Sequence, residues 1–133
     1  MMVLLDTHAV IWFATEDPSL GKRSRALIGA SAEEGQLAIC AISFWEIALL
    51  LSKGQLQATL PASELRARML QTGVNEIALS GDIAVLSVSL NLHDDPADRF
   101  VAASAITHGA TLITADAHLL KWKHALKRQN ARR

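Results

Sequence analysis

The chain has 133 residues, enough for one compact domain and too few for two. Half of the residues are apolar, only one is cysteine and no run of 18 apolar residues occurs, so a filled core is expected while a disulfide framework, a thiolate metal site and a membrane span are excluded. Net charge is zero but uneven: residues 1–120 sum to −6, and residues 121–133, with Lys121, Lys123, Lys127, Arg128, Arg132 and Arg133 and no acid, sum to +6.

Met2–Leu5 predicts a short buried strand that ends at Asp6. The first residues lack a basic start and Asp6 interrupts their apolar run, so they do not read as a secretory signal. His8–Ala14 has helical apolar spacing, and Asp17, Pro18 and Gly21 punctuate a turn. Lys22–Ala32 predicts an amphipathic helix with Ala26, Leu27 and Ala30 inward. Leu37–Ile42 predicts a second buried strand. Cys40 inside it reads as a small core residue, and a lone reduced thiol suits the cytoplasm.

Ser43 is expected to start a helix that runs to Ser52 and stops at Gly54. Pro61 opens another to Gln71, closed by Gly73. Val74–Leu79 alternates as a strand, and Ser80–Leu90 is helical. Pro96 opens a long helix to His108, with Gly109 as its stop. Thr111–Thr114 predicts a fourth strand, followed by a short helix from Ala117 to Trp122. The end, WKHALKRQNARR, shows no clean strand and reads as a basic tail from about residue 121. An acidic body with such a tail suits metal binding plus contact with a polyanion. The apolar surplus points to a covered subunit or partner surface.

Strands alternating with helices call for a parallel sheet covered on both faces, and continuously apolar strands agree. Ligands of such sheets bind outside the carboxyl ends of the strands. Asp6, Glu46, Asp98 and Asp116 all fall near that edge. Each has an ordinary role to weigh. Asp6 and Asp116 fit helix N-caps, Ser43 to Glu46 fits a capping box, and Asp98 sits where a helix dipole favours an acid, after the cap Asp95.

Together the acids read differently. Carboxylates gathered at one edge repel, and burying them unpaired costs several kcal/mol. Glu46 lies among Phe44, Trp45, Ile47, Ala48, Leu49, Leu50 and Leu51, with no Lys or Arg within a turn. A hard cation, Mg²⁺ or Mn²⁺, resolves the conflict and suits phosphodiester hydrolysis. Thr7 and Thr114 flank the edge as supporting hydroxyls, and Ser43 is a weaker third. Arg99, Lys121 and Lys123 are the candidate substrate-binding cations. None of the five histidines has zinc-ligand spacing; His93, near Asp95 and Asp98, is the one with a case as general base.

Asp6-Thr7-His8 after an apolar strand, with Trp12 following, resembles the opening of PIN-domain proteins. Ala41-Ile42-Ser43-Phe44-Trp45-Glu46-Ile47 is similar to their second motif, and His93–Leu120 to their third and fourth motifs run together. The likeness extends from about Val3 to Trp122, and within the class the chain resembles the VapC toxins of bacterial toxin–antitoxin pairs. It implies a three-layer α/β/α sandwich around a parallel sheet, with Asp6, Glu46, Asp98 and Asp116 as the metal-site and catalytic acids. It implies an endoribonuclease that uses Mg²⁺ or Mn²⁺ and leaves a 5′-phosphate and a 3′-hydroxyl. It further implies a homodimer inhibited by a cognate VapB-like antitoxin, which alone contacts operator DNA. Asp94 and Asp95 are extra acids beside the pattern.

Other readings compete. A receiver domain needs a lysine after a late strand, but Ala115-Asp116 stands there and the next lysine is Lys121. An aspartyl phosphatase shows Asp-x-Asp at the first strand, where this chain has His8 as the second. A non-catalytic PIN-like nucleic-acid-binding module would lack an acid, and a PIN nuclease outside a toxin pair would be told apart by the absence of a neighbouring antitoxin.

Overall fold

Strands β1 (Val3–Leu5), β2 (Leu37–Cys40) and β4 (Thr111–Thr114) are buried at every position, as strands covered by helices on both faces must be. A computed structural model of the chain describes all residues 1–133. It joins these strands to β3 (Asn75–Ile77) and β5 (Arg128–Asn130) in a five-stranded sheet of order β3-β2-β1-β4-β5, parallel throughout.

Side chains alternate across the pleat. Val3, Leu5, Ile39 and Ile113 face one layer, made by α1 (Thr7–Ala14), α2 (Lys22–Glu33), α3 (Ala41–Ser52) and α4 (Ala62–Gln71). Leu4, Ala38, Cys40 and Leu112 face the other, made by α5 (Gly81–Ser89), α6 (Pro96–His108) and α7 (Ala117–Lys121). Each Leu or Ile buried this way contributes about 1.5–3 kcal/mol, so the two apolar layers pin the sheet between them. The three-layer sandwich expected from the sequence is the observed architecture.

Several details differ from expectation. Strand β2 ends at Cys40 and α3 begins at Ala41, so Ser43 lies inside the helix. The capping box from Ser43 to Glu46 does not form, and Cys40 occupies the N-cap without a side-chain bond. In α2 the buried face is Ser24, Ile28 and Ser31, with Leu27 half-buried and Ala26 and Ala30 exposed. The serines tolerate burial because their hydroxyls donate to the carbonyls of Asn130 and Ile28. Strand β3 shrinks to three residues, and Leu79 is exposed.

The largest difference is the basic end, which is a strand rather than a free tail. Strand β5 pairs with β4 through main-chain bonds such as Leu112 N to Lys127 O and Ala131 N to Thr114 O, both 2.9 Å. Arg128 donates to the carbonyls of Leu119 and His124, and Leu126 and Ala131 are buried beside it. A polar strand survives at a sheet edge because main-chain bonds, not apolar side chains, hold it. No helix is long and apolar enough to cross a membrane.

Candidate active site

Asp6 leaves β1 as the N-cap of α1, its Oδ1 accepting from Thr7 N at 2.8 Å. Asp116 follows β4 as the N-cap of α7, accepting from Leu119 N at 2.9 Å. Asp98 sits in the first turn of α6 behind the cap Asp95, which accepts from Ala97 N at 3.1 Å. Glu46 projects from the second turn of α3. The capping roles therefore exist, yet they do not exhaust the acids. All four line one cleft of about 260 Å³, together with Thr7, His8, Trp12, Asp95 and Arg132. Strand ends bring them there from positions up to 110 residues apart.

Hydroxyls beside the cleft hydrogen-bond its acids. Thr114 Oγ1 donates to Asp6 Oδ2 at 2.7 Å and accepts from Asp116 N at 3.0 Å, so one side chain positions two acids. Thr7 Oγ1 lies 2.5 Å from Glu46 Oε1 and 3.1 Å from Ser43 Oγ. A hydroxyl has one proton and the carboxylate takes it; Ser43 then donates to Thr7. Ser43 thus supports the site through Thr7 instead of capping a helix.

Burial pushes the carboxyl of Asp6 above its ordinary range, against the opposing hydrogen bonds from Thr114 and Thr7. Glu46 is raised for the same reason, with the charges of Asp6 and Asp95 adding to it. Asp98 is pushed up to about 7, by burial first and then by Asp6, Asp95 and Asp116, while the contact with His93 opposes the shift. No Lys or Arg side chain forms an ion pair with Asp6, Glu46, Asp98 or Asp116. Dehydrated, mutually repelling carboxylates with no Lys or Arg partner are an arrangement that could hold a cation.

His93 joins this group more closely than its spacing foretold. Its Nε2 lies 2.6 Å from Asp98 Oδ2, and its ring meets that of His118 at a 31° tilt with centroids 4.4 Å apart. His93 Nδ1 is buried and has no hydrogen-bond partner. Donor atoms of His93, Asp98 and Asp116 all lie within 4.8 Å of one another. Carboxylate oxygens are the donors that Mg²⁺ or Mn²⁺ takes, so the acids fit such an ion, whereas the imidazole suits a softer metal and stands here as a partner of Asp98.

Four acids from the ends of β1 and β4 and from α3 and α6 thus share one cleft. Residues 3–124 match the family model described as PIN domain. The chain belongs to the PIN-domain family. This PIN domain is 33% identical over 124 residues to Ribonuclease VapC22 of Mycobacterium tuberculosis, covering 92% of both chains. It is similar to a chain of a toxin–antitoxin complex from Klebsiella pneumoniae, with a TM-score of 0.63 and 26% identity over 91% of this chain and 92% of that one. It also shares its fold with a chain of VapBC2 from Rickettsia felis bound to a promoter DNA fragment, with a TM-score of 0.71 and 18% identity over 98% of each.

Two expectations about the PIN domain's cations change. Arg99 does not face the cleft's solvent as a substrate-binding group. Its guanidinium donates to the carbonyls of Ser87, Leu90, Leu92 and His93, stitching the α5–α6 connection. Asp94, fully exposed, lies 3.8 Å from Arg99 and adds little at that exposure. Lys121 does line a pocket, beside His93, His118 and Trp122, whereas Lys123 is an exposed side chain outside both this pocket and the acidic cleft. Arg132 was legible only as one charge of the basic end; its place in the cleft had no local signal. Cys40 is buried as expected, and burial pushes its thiol up to about 11, so it is inert.

Proposed function

We propose that this PIN domain is a Mg²⁺- or Mn²⁺-dependent endoribonuclease, the toxin of a VapBC-like toxin–antitoxin pair. The observation that carries the reading is the set Asp6, Glu46, Asp98 and Asp116 in one cleft, with three of them raised by burial and none ion-paired to Lys or Arg. The 33% identical ribonuclease supports the reaction class.

Asp6, Glu46, Asp98 and Asp116 would hold the ion, with His93 alongside. When bound, the ion supplies an activated water and shields the charge that develops on the scissile phosphate. The chain's own part is positioning. Thr114 orients Asp6 and the Asp116 backbone, Thr7 orients Glu46, and His93 orients Asp98. Lys121, in the pocket beside His93, attracts the RNA backbone.

The partner of the resting protein is a VapB-like antitoxin, the only member of the pair to touch operator DNA, and the protein works in the cytoplasm. The complexes among its structural neighbours support that pairing. The exposed apolar side chains of Val85, Val88 and Trp45 support a covered surface and a homodimer; light scattering that finds only monomer at high concentration rejects the dimer.

The decisive test incubates purified protein with mixed single-stranded RNA in Mg²⁺, in Mn²⁺ and in EDTA, beside Asp98→Asn. Cleavage that needs metal and vanishes in the variant is expected. A folded protein that cuts no RNA in either metal rejects the nuclease and favours a binding module.

A further inference from the structure

The acidic cleft contains one arginine, and it comes from the basic end rather than from the surrounding helices. Arg132 lines the cleft beside Asp6, Glu46, Asp98 and Asp116. Its guanidinium carbon stands 4.9 Å from the ring centroid of Trp12, which meets the His8 ring edge-on at 6.2 Å. A cation–π contact holds the charge in place without consuming a hydrogen-bond donor. The guanidinium forms no ion pair with any acid, and the residue's one hydrogen bond to a side chain comes from its backbone N–H. Four other arginines are engaged. Arg99 and Arg128 donate to carbonyls, and Arg66 and Arg68 pair with glutamates.

The backbone that carries Arg132 is held on both sides. Ala131 N donates to Thr114 O at 2.9 Å, Gly21 N donates to Ala131 O at 2.8 Å, and Ser24 N donates to Arg133 O at 3.1 Å. Arg132 N donates to Asn130 Oδ1 at 3.0 Å. A Cβ at position 21 would meet the Arg133 backbone at 2.2 Å, so only glycine admits this approach. Thr114, whose carbonyl anchors Ala131, uses its hydroxyl to hold Asp6. Arginine and acid are therefore hung from the same strand end.

We propose that Arg132 is an RNA phosphate-binding residue at the mouth of the acidic cleft. This rests on the ribonuclease reading. Four carboxylates repel a polyanion, and a fixed guanidinium with free donors offers a phosphate two parallel hydrogen bonds at the place where repulsion is greatest.

The test measures binding of a random-sequence single-stranded RNA pool to the Asp98→Asn protein in Mg²⁺. The same protein carrying Arg132→Ala or Arg132→Lys is compared over a salt series, with melting curves. A random pool suffices because phosphate contacts are blind to sequence. Arg132→Ala should bind about tenfold more weakly, the loss of a charge-assisted contact. Its plot of log affinity against log salt should be shallower by about 0.7, one phosphate on a single strand. Arg132→Lys should keep the slope and recover part of the affinity. In the chain with Asp98 intact, Arg132→Ala should raise KM more than it lowers kcat. Unchanged affinity and slope, with or without a lower melting point, overturn the proposal and leave Arg132 a structural counter-charge. A parent that binds no RNA, with an unsubstituted chain that cleaves none, removes the ribonuclease reading and this inference with it.

Discussion

Thr114 and Asp6, 108 residues apart in the chain, are joined by a 2.7 Å hydrogen bond from the threonine hydroxyl to Asp6 Oδ2. The bond exists because β1 and β4 are neighbours in parallel register, Leu5 opposite Ile113. Both side chains are buried, so no water replaces either partner.

Thr114→Val keeps the shape and removes the hydroxyl. Asp6 then loses a donor and the Asp116 N–H loses its acceptor. The expected cost is about 1–3 kcal/mol of stability, and cleavage should fall about 10- to 100-fold through displaced acids. Chemical denaturation and a cleavage assay check both; full activity would detach Thr114 from the site.

Asp6→Asn removes a charge without changing shape. Cleavage should drop by more than about a hundredfold, while the metal-free fold melts no lower than the parent, because a dehydrated carboxylate is gone. Retained activity would take Asp6 out of the site, and a collapse in melting point would make it a mere cap.

Stability without metal should depend on pH in a direction the buried acids set. Asp98 has a folded pKa of about 7, above its ordinary 3.8, so the folded state binds the proton more tightly than the unfolded one. Its favourable contribution is complete below the ordinary value and is lost as pH rises through about 7. Asp6 and Glu46 shift in the same sense. In EDTA the melting temperature should therefore fall between weakly acidic and weakly alkaline pH. Added Mn²⁺ should raise it most at the alkaline end, where the carboxylates are ionised. A metal effect independent of pH would contradict the assignment.

Arg99 and Lys121 should separate cleanly. Arg99→Lys loses the planar fork that reaches four carbonyls and should cost about 3 kcal/mol of stability. Lys121→Ala should leave stability within about 0.5 kcal/mol of the parent and weaken RNA binding in a salt-dependent way. An Arg99→Lys protein as stable as the parent would return Arg99 to the list of substrate contacts.

The sequence by itself determined the layers and the four acids. Apolar runs at β1, β2 and β4 specify a sheet buried on both faces, and turn residues mark where each run ends, so Asp6 and Asp116 announce themselves as strand-end acids. Asp98 follows from Asp95-Pro96, a local helix start. Element limits were less legible where two signals compete: Ser43 has capping chemistry, yet the apolar demand of β2 ends at Cys40 and the helix begins early.

Only the tertiary structure decided which polar groups meet. The contact of His93 with Asp98, the four carbonyls around Arg99, and the pairing of β5 with β4 depend on where other segments lie. A polar edge strand such as Arg128–Asn130 is held by main-chain bonds, and every residue but proline offers the same ones. Its sequence therefore carries no mark of the partner that makes it a strand, nor of the cleft to which it delivers Arg132.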